Sequence, residues 1–232
     1  MEFSLGQMWV HMGLPARLVA IILVGMGLAS LTVLIERIRS LGRSRRESKR
    51  FGEQLQGHLR LEEVPALIEA ADRHAAGHLS QVVKYCLTTH QHARETRDVS
   101  GLSPAERTRR EVDRYLEDVA TDLRRGLPVL ASVGSVAPFV GLLGTVLGII
   151  SAFQGIASSG SGGLSAVSAG ISEALIETAL GLAVAIPAVL AFNYLTTAIT
   201  RDEKSLHGAA GQILDAIEGW EEGEAERRRR VA

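Results

Sequence analysis

The sequence from Gly126 to Thr200 reads GLPVLASVGSVAPFVGLLGTVLGIISAFQGIASSGSGGLSAVSAGISEALIETALGLAVAIPAVLAFNYLTTAIT. It contains no Lys, Arg or Asp, and Glu173 and Glu177 are its only charged residues. Two long apolar runs flank a short segment rich in Ser and Gly, residues 158–163. Apolar runs of about 18 residues or more are typical of transmembrane helices. The stretch is therefore predicted to be a membrane hairpin, and its few polar residues are candidates for function.

A third apolar run, Leu18 to Ile35, lies near the start of the chain. A signal peptide is disfavoured because no basic residue precedes Arg17. A dense cluster of Arg and Lys follows between residues 37 and 50, and Arg201 follows the last apolar run. Basic residues beside a membrane span favour the cytoplasmic side. All Lys and Arg residues except Arg17 then lie in segments assigned to the cytoplasm.

The overall composition, 46% hydrophobic and 22% charged, would fit a soluble protein, but the charge is segregated along the chain. We therefore predict an all-α membrane protein with three transmembrane helices and long cytoplasmic helical extensions. The predicted segments are an external N-terminal segment (1–13), transmembrane helix 1 (14–36), a cytoplasmic helical region (37–125), transmembrane helix 2 (126–156), an external loop (157–169), transmembrane helix 3 (170–200), and a cytoplasmic C-terminal helix with a charged tail (201–232).

The cytoplasmic region carries helix signals. Pro65 suits the first turn of a helix, and Ser103, Pro104 and Glu106 form a capping-box pattern. We expect one long helix from Pro104 through Arg125 and on into the membrane. Apolar residues at helical spacing predict buried faces on this helix and on the C-terminal one: Val112, Leu116, Val119 and Leu123, then Leu206, Ile213, Leu214 and Ile217.

The sequence offers little for metal, cofactor or enzyme chemistry. His74 and His78 stand four residues apart, a spacing that can hold a metal, but no third ligand accompanies them. They are interpreted as exposed surface histidines, as are His90 and His92. No nucleophile–base pair and no cofactor motif is found, so we expect no enzyme activity. The basic cluster favours contact with anionic lipid over nucleic acid, since only 4% of residues are aromatic.

Glu173 and Glu177 lie one turn apart on one face of the third predicted span. A charged side chain near the bilayer centre costs roughly 3 kcal/mol, so such residues face a partner helix or a wet cavity. The alternative is that they reach water at the external interface, which suits Glu173, near the helix start, better than Glu177. Thr145 and Thr178 are mid-membrane hydroxyls that either bond to the carbonyl of residue i−4 or line a polar path.

Glycines and prolines recur in both arms of the hairpin. Small residues three, four or seven apart let helices approach closely in lipid. Proline removes a backbone donor and can kink a helix. The residues assigned to helix packing or kinking are Gly134, Pro138, Gly141, Gly144, Gly148, Gly181 and Pro187.

The sequence ASVGSVAPFVGLLGTVLGI (131–149) closely resembles the second membrane segment of the MotA/TolQ/ExbB proton-channel family. GISEALI (170–176), TALGL (178–182) and AIPAV (185–189) resemble its third. With three spans the chain is similar to the ExbB/TolQ branch rather than the four-span flagellar branch. The resemblance covers nearly the whole chain in layout, and residues 124–200 in detail.

The resemblance implies a homopentamer in the bacterial inner membrane, with the N-terminus periplasmic, the C-terminus cytoplasmic and a pore lined by the second and third helices. Two copies of a single-span ExbD/TolR-like partner would sit in the pore and carry the titrating Asp. Thr145 and Thr178 match the family's pore threonines, and Glu173 matches its third-helix glutamate. Proton flow would then deliver force across the envelope, through a TonB/TolA-like protein or a motility adaptor.

Glu177 departs from this pattern, because the family usually has a small residue there. It adds a carboxyl one turn from Glu173 that could alter the proton path, pair with a partner residue or mark a specialised branch. Gliding-motility motors use relatives of this type, so a motor dedicated to motility is an alternative to a subunit for nutrient uptake or envelope maintenance. The rivals from other classes are a passive membrane scaffold and a membrane anchor whose cytoplasmic helices bind a regulator.

Overall fold

The computed structural model describes residues 13–55, 63–96, 101–159 and 164–231. All regular secondary structure within these ranges is helical. The helices are α1 (Leu14–Leu55), α2 (Val64–Arg73), α3 (His78–Glu95), α4 (Pro104–Arg124), α5 (Leu127–Ser159) and α6 (Leu164–Val231). The predicted external segment 1–13 lies outside the described residues apart from Gly13.

Three of these helices, α1, α5 and α6, are long and apolar enough to cross a membrane. The apolar stretch of α1 lies in Leu14–Leu55, that of α5 in Leu127–Gly155 and that of α6 in Gly170–Arg230. The expectation of an all-α membrane protein with three membrane-length helices is therefore confirmed. Numerous large apolar side chains on these helices are exposed, as lipid-facing or assembly surfaces require; Phe139, for example, is 70% exposed.

The chain forms two compact units, and α1 and α6 each contribute to both. The first, the membrane unit, comprises Met1–Arg37 and Gly126–Thr196. The second, the polar unit, comprises Ile38–Arg125 and Thr197–Ala232. The core of the membrane unit draws on all three of its helices: Val19 and Leu23 of α1, Val133 and Ala137 of α5, and Ala185 and Ala188 of α6.

The expected continuous helix from Pro104 into the membrane is wrong. Helix α4 ends at Arg124, and Gly126 separates it from α5 with a φ of +83°. This left-handed conformation favours glycine. A Cβ at this position would also lie 2.9 Å from Cγ1 of Val33. The backbone therefore turns where the sequence suggested an uninterrupted rod.

The helical arms of the hairpin also reach further than expected. Residues 157–169 were assigned to an external loop, but α5 continues through Ser159 and α6 begins at Leu164. At the other end of α6, the segment assigned to a charged tail is helical through Val231. The stretch between the arms is therefore shorter than the sequence indicated, and the C-terminal helix longer.

The predicted buried faces of the polar unit are confirmed: Val112, Leu116, Val119 and Leu123 of α4, and Leu206, Ile213, Leu214 and Ile217 of α6, are all buried. Pro65 lies in the first turn of α2, and the capping box of α4 is present. In that box Glu106 N–H donates to Ser103 Oγ at 3.1 Å, and Ser103 N–H donates to Glu106 Oε2 at 2.9 Å.

Ion pairs tie the acidic side chains of α6 to three other helices of the polar unit. Arg45 of α1 lies 3.0 Å from Asp202 and also donates to the carbonyl oxygen of Ala198 at 2.9 Å. Helix α4 contributes three further pairs: Arg124 with Glu203 at 2.7 Å, and Arg109 with Glu218 at 2.8 Å and with Asp215 at 3.3 Å. Helix α3 contributes Arg94 with Glu224 at 2.9 Å. Hydrogen bonding to Glu218 raises the pKa of Arg109 further above its usual range.

The interpretation of the histidines as exposed is wrong for three of the four. His90 is 4% exposed, and burial lowers the pKa of its imidazole. His74 is half-buried and its Nδ1 lies 2.8 Å from Oε2 of Glu47, whose pKa this hydrogen bond lowers. His78 is also half-buried and contacts Ser44 through its ring. His92 is exposed, as expected.

Candidate functional site

The candidate site lies in the membrane unit, where α5 packs antiparallel against α6. Close approach of the two backbones depends on glycine. A Cβ at Gly141 would lie 2.8 Å from the carbonyl oxygen of Glu177 and 3.2 Å from Cα of Gly181. A Cβ at Gly181 would lie 2.7 Å from the carbonyl oxygen of Ala137. Real side chains do not approach backbone atoms so closely, so both positions require glycine.

The same contact extends along α5 in both directions. A Cβ at Gly148 would lie 2.9 Å from Cβ of Ala174, and one at Gly134 would press on the side chain of Val189. Contacts of this kind are the usual route to helix association in lipid, where apolar burial provides little driving force between helices. The glycines assigned to packing thus lie between α5 and α6.

Gly170 extends this contact and was missed as a packing residue. A Cβ there would lie 2.6 Å from Cβ of Ala152. The signal was present in the sequence, because Gly170 precedes Gly181 by three helical turns and therefore occupies the same face of α6.

Glu177 occupies the space opposite Gly144. The side chain is 1% exposed, and a Cβ at Gly144 would lie 2.8 Å from its Cδ and overlap its Oε2. The carboxyl therefore fills a notch that exists because residue 144 has no side chain; we call it the Gly144 notch. Both carboxyl oxygens are buried and neither has a hydrogen-bond partner among the described residues.

Glu173 lies one turn nearer the start of α6 and is half-buried. The two carboxyls share a face of α6, but only that of Glu177 is fully enclosed by the unit. The two glutamates therefore differ in their surroundings. Helix α5 encloses the side chain of Glu177, whereas the side chain of Glu173 stays partly exposed.

The two threonines make different hydrogen bonds. Thr178 donates from Oγ1 to the carbonyl oxygen of Gly141 on α5, at 3.1 Å, and so links the two helices. Thr145 donates from Oγ1 to the carbonyl oxygen of Leu142 in its own helix, at 2.6 Å. This is the local bonding expected of a threonine in a helix, although to residue i−3 rather than i−4. Thr178 therefore belongs to the helix contact, and Thr145 does not contribute to it through its hydroxyl.

Pro138 and Pro187 lie inside α5 and α6, and both helices continue through them. Proline has no N–H, so the carbonyls of Gly134 and Ala183, four residues earlier, lack their usual helical donors. Freed carbonyls are tolerated in membrane helices where neighbouring groups or water satisfy them. The prolines therefore add polar backbone positions to an otherwise apolar pair of helices.

The described residues contain no group of three His, Cys, Asp or Glu side chains placed to share a metal ion. The candidate polar groups on the α5–α6 pair are instead the carboxyls of Glu173 and Glu177, the hydroxyls of Thr145 and Thr178, and the backbone carbonyls freed by the two prolines. Such groups can bind and pass protons, and they can hydrogen-bond to a polar side chain of another membrane helix.

Comparison with known proteins places this arrangement in a family. Residues 79–207, more than half of the chain, match the model of the MotA/TolQ/ExbB proton channel family. The matched region includes α4, α5, the whole apolar part of α6 and all of α3 except His78.

Individual relatives agree. The Tol-Pal system protein TolQ of Haemophilus influenzae is 29% identical over 206 residues, which cover 88% of this chain and 89% of that protein. The biopolymer transport protein ExbB of Xanthomonas campestris is 45% identical over 89 residues, 37% of this chain and 35% of that protein. ExbB of Pseudomonas putida is 33% identical over 119 residues, 51% of this chain and 36% of that protein.

The matches to these ExbB proteins span about a third of their length, whereas the match to TolQ spans nearly all of it. The three membrane-length helices fit the branch inferred from the sequence. The chain belongs to the MotA/TolQ/ExbB proton channel family, in its ExbB/TolQ branch.

Proposed function

We propose that this protein is the channel-forming subunit of an inner-membrane motor driven by the proton-motive force. The observation that carries the proposal is the polar set on the α5–α6 pair, Thr145, Glu173, Glu177 and Thr178, within a stretch, Gly126 to Thr200, that has no other charged residue. Hydroxyls and carboxyls at membrane depth are costly and mark ion or proton paths. Membership of a proton channel family supports the same role.

The working assembly in this proposal is a homopentamer around a central pore. The exposed apolar side chains of the membrane unit, Leu142 and Leu143 of α5 among them, support contacts with lipid and with other copies. Two copies of an ExbD/TolR-like single-span protein would occupy the pore and supply the titrating Asp. The N-terminus faces the periplasm and the C-terminus the cytoplasm, as the basic residues beside the spans favour.

The motor would deliver work to a TonB/TolA-like protein, in transport or in envelope maintenance. The relatives named for biopolymer transport and for the Tol-Pal system support these two processes. A motor dedicated to gliding motility is the second candidate, because gliding-motility motors use relatives of this type.

The threonines test the proposal. Thr145→Ala and Thr178→Ala are each co-expressed with the single-span partner, and Thr→Ser variants serve as controls that keep the hydroxyl. We expect intact assemblies with most of the partner-dependent function lost in the Ala variants and kept in the Ser variants. Assembly is measured as the mass of the native complex, and function is measured as growth or movement that depends on the partner. Intact assemblies with unchanged function in both Ala variants would leave a passive scaffold as the better description.

A further inference from the structure

Glu177 is an acid enclosed without the groups that normally accompany a buried carboxylate. It is 1% exposed and its two oxygens find no hydrogen-bond donor in the part of the chain that the structure describes. A buried carboxylate is stabilised by cations, by metal ions or by several hydrogen-bond donors. The form of the side chain that suits this position is the neutral acid.

The charged groups around Glu177 support this assignment. On its own helix, Glu173 is the charged neighbour, and it carries the same sign. Helix α5, which forms the notch, has no charged or titratable residue between Leu127 and Ser159. On the membrane part of α1 the cation is Arg17, near the start of the helix. The face of α5 opposite the carboxyl therefore contributes a glycine and no counter-charge.

We propose that Glu177 is a proton-binding site carried by the channel subunit itself, holding its proton in the Gly144 notch and giving it to water when α5 and α6 part at that level. In the release step the carboxyl O–H bond breaks, the proton joins a water molecule as hydronium, and a carboxylate remains. Recapture reverses the same step. The role of this site in transport rests on the proposed function; its ability to bind a proton does not.

Glycine at residue 144 makes such a site possible. A larger residue there would displace the carboxyl, since even a methyl group would overlap Oε2. Thr178, the next residue, already donates its hydroxyl to the carbonyl of Gly141 and so holds α6 in register with α5. The Gly144 notch and the Thr178–Gly141 hydrogen bond are therefore neighbours along α5 and α6. This hydrogen bond must break when the two helices part and Glu177 gives up its proton.

The test is infrared spectroscopy of the full chain with its co-expressed single-span partner in lipid bilayers, titrated across neutral pH. We expect a carbonyl-stretch band of a protonated carboxyl at neutral pH, absent in Glu177→Gln and kept in Glu173→Gln. Gln has nearly the shape of the neutral acid, so the variant should fold. Glu177→Ala, which leaves space rather than a clash, must lose the same band. A band unchanged in both Glu177 variants would overturn the proposal.

The notch has its own test. Gly144→Ala should shift the band or abolish it, because the added methyl displaces the carboxyl. Gly155→Ala is the matched control on the same helix, since a Cβ there meets no atom within 4 Å. An identical band in Gly144→Ala and wild type would place the proton elsewhere. The infrared band can be measured without any motor activity. A negative result for the motor role in the threonine variants is therefore distinguishable from a negative result for proton binding by Glu177.

Discussion

The polar unit and the membrane unit treat their acidic side chains in opposite ways. In the polar unit, Asp202, Glu203 and Glu218 of α6 each meet an arginine within 3.0 Å. In the membrane unit, Glu177 of the same helix meets Gly144 and has no hydrogen-bond donor among the described residues. The acids of the polar unit help join its helices, whereas the membrane unit is joined by glycine contacts. The carboxyl of Glu177 thus takes no part in holding the described helices together by hydrogen bonds.

Among the described residues of the polar unit, a histidine and a glutamate also face each other without a hydrogen bond between them. His90 of α3 lies with Nδ1 3.7 Å from Oε1 of Glu221 on α6, and neither of these atoms has a hydrogen-bond partner in the described ranges. Burial lowers the pKa of His90 and raises the pKa of Glu221. Both shifts favour the neutral forms, so this contact is held by packing more than by charge.

The largest expected effect is on the glycine contact. Gly141→Ala would place a methyl against the backbone of α6, and we expect a loss of about 2 kcal/mol in stability, typical of overpacking. Gly155→Ala, with open space around its Cβ, should be neutral or stabilise by up to about 1 kcal/mol through helix propensity. Unfolding of the two variants in detergent micelles measures the difference. Equal stabilities would show that glycine contacts do not hold the membrane unit together.

The next effect concerns the break between α4 and α5. Gly126→Ala forces a left-handed conformation on a residue with a Cβ, which costs about 1–2 kcal/mol, and adds a clash with Val33. Gly101→Ala is the matched variant, because Gly101 has a φ of +72° and open space around it. The difference in unfolding free energy between the variants isolates the Val33 contact. If Gly101→Ala costs as much, that contact contributes nothing.

A smaller effect, confined to mildly acid pH, is expected at His90. Its folded pKa lies below the unfolded value of 6.5, so the folded state binds fewer protons. Stability from this group is present above the unfolded pKa and is lost as the pH falls from there towards the folded pKa. His90→Gln should therefore narrow the fall in melting temperature between neutral and mildly acid pH. His92→Gln, at an exposed position, is the control; if it narrows the fall equally, burial of His90 is not the cause.

The smallest effect is expected for a single ion-pairing arginine of the polar unit. Arg109 bonds Glu218 and Asp215, but its side chain is 42% exposed. Exposed pairs contribute less than about 1 kcal/mol and are screened by salt. Arg109→Gln should thus lower stability slightly at low salt and hardly at all at high salt, with Arg110→Gln as the control. A large loss that persists in high salt would mean that the polar unit depends on single pairs.

Much of the fold follows from patterns that are local in the sequence. The three apolar runs, the capping box at Ser103 and the buried face of α4 each depend on residues within a few helical turns. The break at Gly126 was also readable, since a glycine followed two residues later by Pro128 is a helix-ending pattern. The long apolar run that follows Gly126 nevertheless favoured the expectation of one continuous helix from Pro104 into the membrane.

The parts that could not be predicted depend on which helix faces which. The burial of His90 is completed by Glu221, which is far from it along the chain. The sequence placed Glu173 and Glu177 on one face of α6, but which of them meets Gly144 is set by the register between α5 and α6. The roles of Thr145, Thr178 and the two glutamates in a proton path remain predictions.

The Gly144 notch also limits how the sequence can change over time. A long side chain at 177 fills the notch only when residue 144 is glycine, whereas glycine at 144 accepts either a long or a small residue at 177. The order of substitutions is therefore biased in one direction: a side chain gained at 144 displaces the glutamate unless the glutamate is lost first. Across relatives, the two positions should show this one-sided covariation, with Glu177 and a non-glycine residue at 144 seldom found together.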